Sequence, residues 1–183
     1  MIINRKVKNM PLDNSLEFLP LNIAVLTVSD TRTLDNDTSG QILVDRLTAA
    51  GHNLAARAIV RDEKPELSAK LTEWIENPAI QVIVSTGGTG LTGRDVTPEV
   101  FHSLYEKEIE GFGEMFRMVS YKIIGTSTLQ SRATGGVAGG TYMFALPGSN
   151  GACKDGWDHI LKEQLDIRFR PCNFAEMMPR LIE

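Results

Sequence analysis

An α/β sandwich with a mainly parallel sheet is the fold predicted for this chain of 183 residues. Three observations predict it. Short apolar runs alternate with amphipathic segments long enough to cross over a sheet. The first run, 23-IAVLTVS-29, is apolar and β-branched without alternation, as a strand covered on both faces should be. Polar, glycine-bearing loops follow the runs, where a parallel sheet places its ligand-binding edge.

Each element has its own warrant. After the first strand and the polar loop 30–40, the segment 41-QILVDRLTAAG-51 spaces Ile42, Leu43, Leu47 and Ala50 as a helix does. Thr38 or Ser39 can cap its start, and Gly51 can end it. The stretch 54-LAARAIV-60 reads as a second strand. Residues 64–77 form a helix with Leu67, Leu71, Trp74 and Ile75 on one face, Pro65 in its first turn and Pro78 as its stop. A short strand, 81-QVIVS-85, follows. The next helix is predicted to start with Thr97 as cap and Pro98 at the first helical position. Over residues 112–124 another helix carries Phe112, Met115, Phe116, Val119 and Ile123 along one face, as core packing or in part as a subunit interface. The run 134–149 reads as two strands around Gly139-Gly140, a hairpin. Residues 150–165 form a last helix with Cys153, Trp157, Ile160 and Leu161 inward. Residues 1–20 lack periodicity and read as an N-terminal arm, 21–170 as one domain, and 171–183 as a C-terminal tail.

Composition narrows the function classes. A net charge of −4 gives no footprint of a general nucleic-acid or membrane-surface binder. No apolar run is long enough to span a bilayer, and the first residues lack a signal-peptide core, so a cytoplasmic location is expected. Cys153 and Cys172 lie far apart without a CxxC, and His52, His102 and His159 show no HxxxH, so neither a disulfide framework nor a zinc site is expected.

The stretch 85-STGGTGLTGRDVTPE-99 contains two familiar glycine spacings. Gly88-x-Gly90-x-x-Gly93 matches a dinucleotide fingerprint, but it follows the third strand, its last glycine precedes the helix, and no acidic residue ends a strand some twenty residues on. Gly88-x-x-x-x-Gly93 matches a P-loop frame, but Arg94 and Asp95 replace the lysine and hydroxyl which that chemistry needs. A third reading takes the loop as it stands. Gly87, Gly88 and Gly90 let the backbone approach an anion, Ser85, Thr86 and Thr89 add hydroxyls, and Asp95 can hold Mg²⁺ against phosphate. By itself the loop is equally well read as a tight turn with Asp95 capping local amides.

Four loops are predicted to share one sheet edge: 29–40, 61–63, 86–95 and 147–151. Helix starts at Thr38-Ser39-Gly40 and Gly148-Ser149-Asn150 offer free amides and a partial positive charge to an anion, besides serving as ordinary caps. Asp62 and Asp95 come from adjacent loops, the arrangement for metal-assisted phosphoryl or nucleotidyl transfer. Asp62 can also be read as part of a solvated turn between Arg61 and Lys64.

These residues carry a resemblance. The long string above, with 26-LTVSDTR-32, 37-DTSG-40, 111-GFGEMFR-117, 125-GTSTLQSRATGG-136 and 146-LPGSNGA-152, resembles the molybdopterin adenylyltransferase family of molybdenum cofactor biosynthesis, which comprises the B-type and G-type bacterial proteins and the G domain of gephyrin. The likeness runs from about residue 21 to 174, and the ending 165-LDIRFRPCNF-174 looks closest to the B-type. It implies a three-layer α/β/α fold with a mixed sheet, assembled as a homo-trimer or hexamer. It implies transfer of AMP from ATP to the terminal phosphate of molybdopterin with Mg²⁺ as cofactor, or a non-catalytic carrier of molybdopterin. Asp95 and Asp62 then fall on the catalytic, metal-holding positions. Thr86, Gly87, Gly88, Thr89, Gly90, Gly148 and Ser149 fall on the molybdopterin side. Ser29, Asp37, Ser39 and Gly40 fall on the nucleotide side.

Overall fold

The computed structural model describes residues 12–183. The first eleven residues of the expected N-terminal arm lie outside this range. Six strands form one sheet in the order β2-β1-β3-β6-β5-β4. They are β1 (Asn22–Val28), β2 (Asn53–Val60), β3 (Val82–Thr86), β4 (Lys107–Glu108), β5 (Thr134–Ala138) and β6 (Thr141–Leu146). Strands β2, β1, β3 and β6 run parallel, and β5 is antiparallel to both β6 and β4. The sheet is therefore mixed, because a two-residue turn can join only antiparallel neighbours. That turn is Gly139-Gly140, with φ of 56° and 80°, the left-handed geometry that a tight hairpin requires.

Helices cover both faces: α1 (Thr38–Ala49), α2 (Lys64–Ile75), α3 (Thr97–Leu104), α4 (Glu110–Ile124) and α5 (Asn150–Gly156). The unbroken apolar run of β1 follows from this. Ile23 and Val25 face Leu43 and Leu47 of α1, Phe112 and Phe116 of α4, and Cys153 of α5. Ala24, Leu26 and Val28 face Leu67, Leu71 and Trp74 of α2 and Phe101 of α3. Alternate side chains of one strand thus enter two separate cores. The chain moves outward from β1 to β2 through α1 and returns to β3 through α2, so the crossover reverses between β1 and β3. Ligands of open α/β sheets bind beyond such a reversal, at the carboxyl ends of the strands.

Several details differ from expectation. The α1 cap is Asp37, whose side chain accepts from the Gly40 N–H at 2.9 Å; Thr38 and Ser39 are already helical. Thr97 likewise lies inside α3, behind Val96. On α4 the buried stripe is Phe112, Gly113, Phe116 and Ser120, whereas Met115 and Ile123 are exposed. The small residues let α4 press close, since a Cβ on Gly113 would lie 2.5 Å from the Ala133 carbonyl oxygen. The last helix is interrupted by a π turn at Trp157–Leu161 before α6 (Lys162–Gln164). Strand β4 and a 3-10 turn at Gly125–Gln130 carry too short a pattern to read from periodicity.

Residues before β1 and after α6 pack on the domain. The Asp13 N–H donates to the Arg168 carbonyl at 2.8 Å, and the Arg168 guanidinium lies 5.1 Å from the Phe18 ring centre. In α7 (Phe174–Met177), Phe174 packs on Tyr142 and Phe144. No helix among the described residues is long and apolar enough to cross a membrane.

Candidate active site

The carboxyl ends of β1, β3 and β6 meet through glycine. Gly87 has φ of 102°, and a Cβ there would lie 2.2 Å from the Val28 carbonyl oxygen. Gly88 follows with φ of 63°. A Cβ on Gly148, beyond β6, would come within 3.1 Å of the Gly87 Cα. The Gly87 N–H donates to the Leu146 carbonyl at 3.1 Å. Thr97, at the start of α3, closes the loop with its N–H on the Gly88 carbonyl at 3.0 Å and its hydroxyl on the Gly87 carbonyl at 2.9 Å. Backbone atoms reach this tight packing only where no side chain intervenes.

Asp62 and Asp95 both lie against this loop. A Cβ on Gly88 would lie 2.7 Å from Asp62 Oδ1, and one on Gly90 would lie 2.7 Å from Asp95 Oδ2. Asp62 Oδ1 is buried and has no hydrogen-bond partner. Burial pushes the Asp62 carboxyl above its ordinary pKa, and the charges of Asp95 and Asp30 add to this, against the Val96 N–H and Arg94. Asp95 is held the other way. The Thr92 hydroxyl at 2.6 Å and N–H at 2.8 Å keep its carboxyl below the ordinary value, against partial burial. Among the described residues no group of three or more His, Cys, Asp or Glu side chains gathers as a metal site.

Two arginines hold the surrounding loops. Arg94 donates to both Asp30 oxygens at 2.9 and 2.8 Å and to Glu63 Oε1 at 2.6 Å. Asp30 in turn accepts from the Asp62 N–H at 3.2 Å. The loops after β1, β2 and β3 are thereby tied together. Arg132, just before β5, donates to the carbonyls of Gly90 at 2.8 Å and Asp95 at 2.9 Å and pairs with Glu99. Reading the sequence singled out neither role. Arg94 was only the wrong residue for a P-loop, and Arg132 lay in the string 125–136 with no spacing to link it to a loop some forty residues earlier.

A cleft of about 470 Å³ opens between the β3 loop and the β6 loop. Gly88, Thr89, Gly90 and Asp95 line one side, and Gly148 and Ser149 the other. Phe116, Ile123 and Ile124 of α4 form an apolar wall. The Ser149 hydroxyl accepts from the Ala152 N–H at 3.1 Å and caps α5. The structure thus gathers five of the seven residues expected on the molybdopterin side around one hollow; Gly87 is buried, with its N–H on Leu146 and its carbonyl on Thr97. Thr86 lies beneath the hollow: fully buried, its hydroxyl is 3.1 Å from both the Pro147 carbonyl and Cys153 Sγ.

The four residues expected on the nucleotide side lie differently. Ser29 borders a second hollow of about 490 Å³, with Arg32, Arg57 and Arg61. Asp37 is 2% exposed, and its oxygens are taken by the Gly40 N–H, the Thr27 hydroxyl at 2.8 Å and Arg57 at 3.1 Å. Ser39 is buried against the same carboxylate, and a Cβ on Gly40 would fall 2.1 Å from it. These three build the start of α1 from below instead of opening onto a hollow. The Thr38 hydroxyl joins that start to α5 through Asn150 at 3.0 Å.

Comparison with known proteins identifies the family. Residues 24–166 match a family model described as a probable molybdopterin binding domain. Molybdenum cofactor biosynthesis protein B of Escherichia coli K12 is 51% identical over 160 residues, which cover 87% of this chain and 94% of that protein. A crystal structure of a molybdenum cofactor biosynthesis protein B superposes with a TM-score of 0.79 at 40% identity, covering 80% of this chain and 92% of that one. The tungsten cofactor synthesizing protein MoaB from Pyrococcus furiosus superposes with a TM-score of 0.70 at 38% identity, covering 79% and 92%. With the mixed six-stranded sheet, the glycine-lined edge and these relatives in agreement, the chain belongs to the molybdopterin-binding-domain family of molybdenum cofactor biosynthesis proteins.

Proposed function

We propose that this protein transfers AMP from ATP to the terminal phosphate of molybdopterin. One observation carries the reading: Asp62 and Asp95 both lie against one glycine loop, Asp95 lines the cleft, and Asp62, outside that lining, has a buried oxygen without a partner. A lone buried carboxylate oxygen is costly unless a cation or donor meets it. The guanidinium groups of Arg94 and Arg132 are committed to acceptors of the protein itself, so neither is free to balance phosphates beside this acidic pair. Two carboxylates with oxygen ligands from substrate suit Mg²⁺. Asp62 and Asp95 would hold it, and when bound it supplies neutralisation and orientation of the phosphates.

The chain's own groups do the rest. Backbone approach at Gly87–Gly90 and the capped start of α5 receive anionic oxygens of molybdopterin. The apolar wall of α4 keeps water from the reacting phosphates. An oxygen of the molybdopterin phosphate attacks the α-phosphorus of ATP, the bond from that phosphorus to the bridging oxygen breaks, and pyrophosphate leaves. Asp37, Ser39 and Gly40 contribute by holding the α1 terminus beside the cleft. Ser29 supports placing the nucleotide toward the arginine-bordered hollow. Self-association as a trimer or hexamer in the cytoplasm belongs to the same reading, its assembly supported by the exposed Met115, Met118 and Tyr121 of α4.

The test is pyrophosphate release from MgATP and molybdopterin by wild type and Asp95→Asn. Wild-type turnover reduced at least a hundredfold in the variant, with molybdopterin affinity kept within a few fold, is the expected result. Wild type that binds molybdopterin but releases no pyrophosphate would replace transfer with a carrier role.

A further inference from the structure

We infer that Arg132 is a positioning residue that aims Asp95 by fixing the peptide planes of the turn that ends in it. The inference rests on the proposed function only in treating the Asp95 carboxylate as a working group. Arg132 enters from the start of β5, far from the loop in sequence, with its side chain 28% exposed. Its Nε–H is shared between the Gly90 carbonyl at 2.8 Å and the Thr89 carbonyl at 3.3 Å. A terminal N–H donates to the Asp95 carbonyl at 2.9 Å, and the other terminal nitrogen pairs with Glu99.

A trans peptide is planar, so the N–H of each following residue points opposite to the carbonyl before it. Fixing the Gly90 and Asp95 carbonyls therefore fixes the peptide planes at both ends of the turn between them. Inside that turn the Thr92 N–H and hydroxyl hold the Asp95 carboxylate at 2.8 and 2.6 Å, and a Cβ on Gly90 would lie 2.7 Å from Asp95 Oδ2. One side chain thus sets the place of this acid without touching its carboxylate. The task suits a rigid planar fork. A lysine ammonium is a single point on a flexible stem and cannot span carbonyls five residues apart in this way.

The experiment measures amide hydrogen exchange by NMR in Arg132→Gln, Arg132→Lys and Glu99→Gln, alongside Mn²⁺ binding by EPR in the presence of a non-hydrolysable ATP analogue. In Arg132→Gln and Arg132→Lys, exchange at Thr92 and Asp95, whose amides are hydrogen-bonded within the turn, should rise at least tenfold while Val84 in β3 stays as protected as in wild type. Mn²⁺ affinity should fall about tenfold in both. Glu99→Gln breaks only the exposed ion pair and should change each reading less than twofold. If Arg132→Gln does not fold, the charge-retaining Arg132→Lys decides the matter by the same criteria. Thr92 and Asp95 as protected as in wild type, or a uniform rise across the whole sheet, would overturn the inference. Exchange needs no turnover, so it judges Arg132 even where wild type releases no pyrophosphate.

Discussion

Asp37→Ala is the perturbation whose consequence the structure defines most fully. The carboxylate is fully buried at the side-chain level, and its partner Arg57 is 17% exposed. Removing it takes away the α1 cap, a loss of about 1 kcal/mol. It also removes the countercharge of the Arg57 guanidinium, whose Nε already lacks a partner and which then keeps only the Gln41 side chain and the residue-37 carbonyl. Deleting one member of a buried pair costs about 3–5 kcal/mol, and because the two effects share one side chain the expected total is about 3–5 kcal/mol. For a chain of this size each kcal/mol lowers the thermal midpoint by roughly 2–4 °C, so a fall of about 10 °C is expected. Asp37→Asn keeps a cap acceptor and loses the charge, so its loss should be about 1–3 kcal/mol. Urea unfolding at pH 7 followed by circular dichroism measures both. Burial raises the Asp37 pKa, but the Gly40 N–H, the Thr27 hydroxyl and Arg57 together outweigh it and leave it below the ordinary 3.8. A carboxyl with a depressed folded-state pKa stabilises the protein above its unfolded value, and that contribution fades as pH falls through the folded value. The deficit of Asp37→Asn should therefore shrink in acid. Stability within 1 kcal/mol of wild type for Asp37→Ala, with nucleotide binding abolished, would show that Asp37 faces the ligand, and the reasoning here would be wrong.

Further outcomes follow from the same geometry. Gly87→Ala should cost more than about 2 kcal/mol in denaturant unfolding, because a left-handed backbone there already penalises any Cβ and the clash is with a strand carbonyl; Gly93→Ala, which meets nothing within 4 Å, should stay within about 0.5 kcal/mol. Asp62→Asn should raise the thermal midpoint while lowering pyrophosphate release, since it removes a poorly accommodated charge from a working position. His52 is 4% exposed and accepts the Leu21 N–H on Nδ1 at 3.2 Å. Burial holds its pKa below 6.5, so it imposes no penalty above that pH; stability should fall as pH drops below 6.5, by up to about 1.4 kcal/mol per unit. Urea midpoints at pH 7.5 and 5.5 should differ more in wild type than in His52→Gln.

The parallel core was legible because its physics is local. An unbroken run such as 23–29 can be satisfied only between two helical layers, and Leu43, Leu47, Leu67 and Leu71 announce those layers by their spacing. The glycine loop was legible for the same reason, since Gly87 and Gly88 mark backbone that a side chain would obstruct. Three other features depend on residues far apart along the chain. Asp37 became the cap of α1 because Arg57, twenty residues later, supplies the opposing charge. Met115 and Ile123 left the buried face of α4 because Gly113 lets that helix press against the carbonyl of Ala133. Arg132 reached the loop ending at Asp95 because the sheet order sets β5 one strand beyond β6, which adjoins β3. Periodicity and turn chemistry encode what a segment does with its own neighbours; which distant carboxylate meets which guanidinium is settled only when strand order and helix packing bring them within a few ångströms.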